Sequence, residues 1–114
     1  MKEWSIVPNP VAVKAGEVRF FASNTGKTTH ELVVVKSDED VTKLPTYGTS
    51  ETPAEGHVLG DVNEDKITSE GEVEDIEGGA TKDATFVLAP GKYVLMCNLP
   101  THYGLGMRVA FTVN

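Results

Sequence analysis

The chain has 114 residues, of which 39% are hydrophobic, and a formal net charge of −7. One domain is expected at this length, burying somewhat more than about 60% of its unfolded surface, and the acidity argues against nucleic acid, whose phosphates demand a basic face. No apolar run approaches the roughly 18 residues of a membrane-spanning helix, and a single cysteine excludes an internal disulfide.

From the N-terminus, Glu3–Val7 and Val11–Val13 are expected as strands. Pro8-Asn9-Pro10 separates them, and its two prolines cannot donate to a ladder, so they mark an edge, bulge or turn. After the turn at Lys14-Ala15-Gly16, Glu17–Ala22 places Val18, Phe20 and Ala22 on one parity and Glu17 and Arg19 on the other. This is the pattern of a strand with one wet face. The polar loop Ser23–Lys27 delivers the chain to His30, which stands at the start of the Val-rich strand Glu31–Lys36.

Residues 37–77 differ in character. They hold thirteen acidic residues against two basic ones, a net of −11, leaving the rest of the chain at +4. Few large apolar residues occur here, so the segment is expected to run over the surface with little core of its own. A short helix is expected near Ser37, where Ser-Asp-Glu-Asp offers an N-cap and acidic first-turn residues. Gly71–Ile76 is expected to return as a short edge strand. His57, inside this loop, follows no apolar strand, and nothing near it in sequence would fix an imidazole.

Thr81–Leu88 reads as a strand that ends at the Ala89-Pro90-Gly91 turn. In the next strand, Lys92–Cys97, Tyr93, Leu95 and Cys97 share a parity and aim inward, and Met96, on the other parity, is core filler. The last strand is Met107–Val113. About eight short β-branched and aromatic runs with turns between them predict an all-β fold, a Greek-key β-sandwich or flattened barrel, with one long acidic connection.

Between the last two strands lies Cys97-Asn98-Leu99-Pro100-Thr101-His102-Tyr103-Gly104-Leu105-Gly106-Met107. It is the one loop that holds a thiol, an imidazole and a thioether, at spacing C-x4-H-x4-M. Cys97 alone could be an inert buried thiol, a nucleophile with Asn98 as the orienting group, or a metal ligand. His102 and Met107 favour the ligand reading. Two His and a Cys in a trigonal set with a long axial Met form a blue-copper electron-transfer site. The second His must then come from outside the loop, as His30 or His57.

The loop, His30 within Thr-Thr-His-Glu-Leu-Val-Val-Val-Lys, and the Pro-Gly-Lys-Tyr-Val-Leu-Met-Cys approach together resemble the cupredoxin family of small blue-copper proteins, such as plastocyanin and azurin. The resemblance spans roughly residues 3–36 and 80–114 and implies His30, Cys97 and His102 as strong copper ligands with Met107 axial. It implies a monomeric, non-enzymatic type 1 copper protein cycling between Cu(I) and Cu(II). Its partners would be redox proteins such as a c-type cytochrome or a copper oxidase or reductase. A periplasmic or extracytoplasmic location is also implied, with a leader removed or a membrane tether in a longer precursor. A copper trafficking or storage role is the alternative. Tyr93 resembles the tyrosine that pins Greek-key corners in the family, and Leu99, Pro100 and Leu105 would form the partner-facing patch around His102. One departure stands out: Glu31 follows His30 where plastocyanins and azurins usually have Asn, so the tie between the ligand loops must be built differently, with Asn98 as a candidate.

Overall fold

The computed structural model describes residues 1–114. Seven strands form: β1 (Ala12–Val13), β2 (Gly16–Ser23), β3 (His30–Lys36), β4 (Thr68–Ile76), β5 (Thr81–Leu88), β6 (Gly91–Met96) and β7 (Arg108–Val113). Five make one sheet in the order β1-β7-β6-β3-β4, and β2 pairs with β5 in a second, two-stranded sheet. The two sheets make an open sandwich rather than a closed barrel.

The alternation read from the sequence decides which faces meet. Val18 and Ala22 of β2 point inward, as do Leu32 and Val34 of β3 and Tyr93 and Leu95 of β6. With Leu88, Phe111, Val113, Cys97 and Met107 they form the main core between the sheets. The Tyr93 hydroxyl donates to the Ala89 carbonyl at 2.7 Å, pinning the turn before β6 as expected.

The opposite faces of β3 and β6 are buried as well, which explains why Val33, Val34 and Val35 run without polar interruption. A second core covers them, made of Val33, Val35, Val94, Met96 and Tyr103 with Leu44 and Val62 from the acidic connection. That connection therefore adds Leu44 and Val62 to this core, although most of its residues lie at the surface, as expected. β4, longer than the expected edge strand, pairs with β3 and closes that side of the sheet.

Two local expectations fail. No helix starts at Ser37: its Oγ accepts from the Glu39 amide and Asp40 Oδ1 from the Thr42 amide, so the short polar side chains hold the local backbone in turns. The only helical turn is a 3-10 turn at Glu64–Lys66, capped by Asn63. Glu3–Val7 is not a strand. Lys2 and Ser5 bridge to each other instead, and β1 retains only Ala12 and Val13, parallel to the end of β7.

Candidate metal centre

His30 is the first residue of β3, and Cys97 directly follows β6, the strand paired beside it. The Cys97 amide donates to the Met107 carbonyl at 3.0 Å, which closes residues 98–106 into a loop between β6 and β7. Inside the loop the His102 amide donates to Leu99 and the Met107 amide to His102, at 2.9 and 3.2 Å. These turns bring the Cys97 and His102 side chains of the C-x4-H-x4-M spacing together in the interior.

His30 Nδ1, His102 Nδ1 and Cys97 Sγ lie within 4.8 Å of one another. The separations are 3.3 Å between the two nitrogens, 3.4 Å from sulfur to His102 and 4.0 Å from sulfur to His30. Metal–N and metal–S bonds of roughly 2.0 and 2.3 Å place such donors roughly 3.3–3.8 Å apart, so the triangle fits one ion. Met107 is fully buried in the core cluster that contains Cys97. His57 is elsewhere: its Nδ1 lies 3.0 Å from Oδ2 of buried Asp61, so a carboxylate that the sequence did not reveal does fix this imidazole.

The chemistry of the donors matches a soft cation. Burial pushes the free Cys97 thiol up to about 11, and the Glu31 amide donates to its sulfur at 3.3 Å. A bound cation removes that proton outright. Burial and the adjacent His30 lower the pKa of His102, favouring a neutral imidazole with a lone pair to offer. His30 is oriented from behind, for its Nε2 lies 2.8 Å from Glu3 Oε1. Amides of Lys27 and Thr28 also donate to the Glu3 carboxylate and, with the His30 ring, hold it at about 2. An ionised Glu3 accepts, so Nε2 of His30 carries the hydrogen and Nδ1 presents its lone pair to the cluster.

The tie between the ligand loops runs through Glu31 itself. Its carboxylate accepts from the Asn98 amide at 3.3 Å. The Asn98 side chain turns the other way, accepting from the Val62 amide and donating to the Val62 carbonyl and Glu64. Asp61 braces the loop from a second side, accepting from the Thr101 amide at 2.8 Å.

Of the residues expected around His102, Pro100 and Leu105 are exposed and Leu99 is half-buried against the main core. Tyr103 points inward to the second core. Trp4 lies at the surface beside His102: its ring meets that of His102 edge-on, with centroids 4.8 Å apart, and remains 39% exposed. Sequence reasoning missed Glu3, Trp4 and Asp61, since none stands near a ligand in the chain or at a spacing that predicts one.

An open two-sheet β-sandwich with two imidazoles and one thiol converging at one end defines a single-copper binding protein. The chain belongs to the plastocyanin/azurin family of copper-binding proteins, whose sequence profile it matches over residues 3–114. No curated protein is significantly similar to it. Among solved structures it is similar to dithionite-reduced auracyanin from the photosynthetic bacterium Roseiflexus castenholzii, at 23% identity and TM-score 0.61 over 97% of this chain and 84% of that one. Auracyanin B also has 23% identity, with TM-score 0.63 over 97% and 77% of the two chains. Reduced rusticyanin is 24% identical, with TM-score 0.53 over 90% and 61%. At these identities the neighbours establish the fold. No helix of the chain is long and apolar enough to cross a membrane.

Proposed function

We propose that the protein is a monomeric, extracytoplasmic carrier of single electrons, with Cys97, His30 and His102 as the strong copper ligands and Met107 as the axial one. The observation that carries this reading is the convergence of His30 Nδ1, His102 Nδ1 and Cys97 Sγ at 3.3–4.0 Å in a fully packed interior. Copper bound there would supply one-electron chemistry between Cu(I) and Cu(II). The protein's part is to hold the donors still. Cys97 directly follows one buried strand and His30 begins its neighbour, while the Glu31 amide steadies the sulfur.

Electron exchange would pass through the His102 side, where Trp4, Pro100 and Leu105 form a small apolar surface suited to a transient partner. The exposed carboxylates of β4, among them Glu72, Glu74 and Asp75, would steer a cationic face of a c-type cytochrome or a copper oxidase or reductase. A carrier is favoured over an enzyme because four protein ligands leave no open position for substrate. It is favoured over storage because Cys97, Met96 and Met107 are all buried, where exchange of the metal would be slow.

The test is visible absorption and EPR of the Cu²⁺-loaded protein before and after ascorbate. An intense visible band with narrow copper hyperfine splitting should bleach and return, and Cys97→Ser should abolish it. A colourless protein with an ordinary copper spectrum would refute the reading.

A further inference from the structure

The five N-terminal residues reach both histidines of the site. Glu3 binds the ring of His30 and Trp4 packs on that of His102, while Lys2 and Ser5 exchange backbone hydrogen bonds at 3.1 and 2.7 Å that hold the intervening pair in a tight turn. The place of the Glu3 carboxylate is built rather than incidental. Besides His30 it receives the amides of Lys27, at 3.1 Å, and Thr28, at 3.0 Å. Gly26 leaves room for it, since a Cβ there would overlap the carboxylate. His30 is completely buried, so its Nε2–H has no water to turn to.

We propose that Glu3 is a positioning residue of the copper site: its carboxylate, hydrogen-bonded to Nε2–H of His30, strengthens that imidazole as a donor and so biases the site toward Cu(II), lowering its potential. The inference rests on the electron-carrier reading and adds to it a residue outside the ligand set. Its physical basis is that an ionised acceptor makes a hydrogen bond roughly twice as strong as a neutral one. In a buried site that bond pushes electron density through the ring to Nδ1. The more highly charged Cu(II) gains more from this than Cu(I). Partners of this kind, hydrogen-bonded to the far nitrogen of a ligand His, fix its tautomer and are typically worth 10–100-fold in metal affinity.

The experiment compares the full chain with Glu3→Gln, which removes the charge at nearly constant shape, and with Gly26→Ala, which displaces the carboxylate at constant charge. In each copper-loaded variant the visible band should survive and the preference for Cu(I) over Cu(II) should rise about tenfold, or about 59 mV for one electron. Zinc affinity of the same proteins, which requires no redox chemistry, should fall by at least tenfold. Should Glu3→Gln fail to fold, Gly26→Ala decides. Variants with the wild-type potential and wild-type zinc affinity would overturn the proposal. Absence of the visible band in the wild type would refute the carrier reading instead, and zinc affinity would then decide the role of Glu3.

Discussion

Tyr103 lies in the ligand loop between His102 and Met107, yet its ring is 2% exposed and packs with Leu44, Val62 and Met96 in the second core. Its hydroxyl donates to the Val41 carbonyl at 2.5 Å and accepts from the Leu44 amide at 3.3 Å. One oxygen thus fastens the acidic connection to the ligand loop. Tyr103→Phe keeps the ring and removes both bonds. Leu44 is 4% exposed, so its amide is left without a partner, a loss of about 1–3 kcal/mol. Val41 is half-buried, and its carbonyl can turn to water at little further expense. The expected destabilisation is about 2 kcal/mol, or about 8 °C in Tm for a chain of this length. Urea unfolding of the metal-free protein should show that loss with an unchanged m-value, and hydrogen exchange should quicken at Leu44. A loss below about 0.5 kcal/mol, within the usual range of surface substitutions, would refute the idea that this hydroxyl is a structural tie.

Met107→Leu should retain copper and raise the potential, measured by redox titration; complete loss of binding would show that Met107 does more than occupy an axial position. Neutralising Glu72, Glu74 and Asp75 together should slow second-order reduction or oxidation by a cationic partner at low salt and leave the high-salt rate unchanged. An unchanged low-salt rate would reduce the acidic surface to plain solvation. Glu72 is pushed up to about 7 from the usual 4.5, chiefly by the hydrogen bond it shares with Glu74 and then by burial. The folded protein therefore holds a proton that the unfolded chain releases, so stability should fall as pH rises from about 4.5 to 7. Glu72→Gln should flatten that part of the profile. The gain at pH 8 should be under about 1 kcal/mol, because the side chain is exposed and screened, and stability at pH 4 should not change. A wild-type profile already flat between these limits would remove Glu72 from the account.

The parts of the site that were legible in the sequence are those where local pattern and chemistry coincide. Cys97 could be aimed inward because Tyr93 and Leu95 share its parity, and His30 could be placed because a polar loop gives way to Val-rich strand directly after it. Side-chain contacts between distant segments left no such pattern. Glu3 meets His30 across 27 positions, and Trp4-Ser5-Ile6 alternates like a strand, so their hydrogen bonding and stacking were hidden behind a plausible periodicity. His57 looked unsupported because its partner, Asp61, is one carboxylate among many in an acidic run, and only its complete burial distinguishes it. Nothing in the sequence marked Tyr103 as an inward anchor, because a loop aromatic carries no mark of direction. At Ser37, the residues that could have capped a helix instead bind the backbone of their own turns.

The division between legible ligands and hidden supports has a physical origin. A ladder fixes His30 relative to Cys97: β3 and β6 are paired from Val33–Met96 to Lys36–Tyr93, and much of both faces of this pair is buried, so a slip would expose two cores at once. His102 has no such ladder. It stands in a loop whose path is set by its own turns. Trp4 on the ring, Asp61 on the Thr101 amide and the neighbouring Tyr103, anchored in the second core, supply the missing restraint. In the proposed carrier, electron exchange with little ligand movement would therefore depend on residues outside the ligand set, and loosening any of these three should disturb the His102 side of the site before the His30 side.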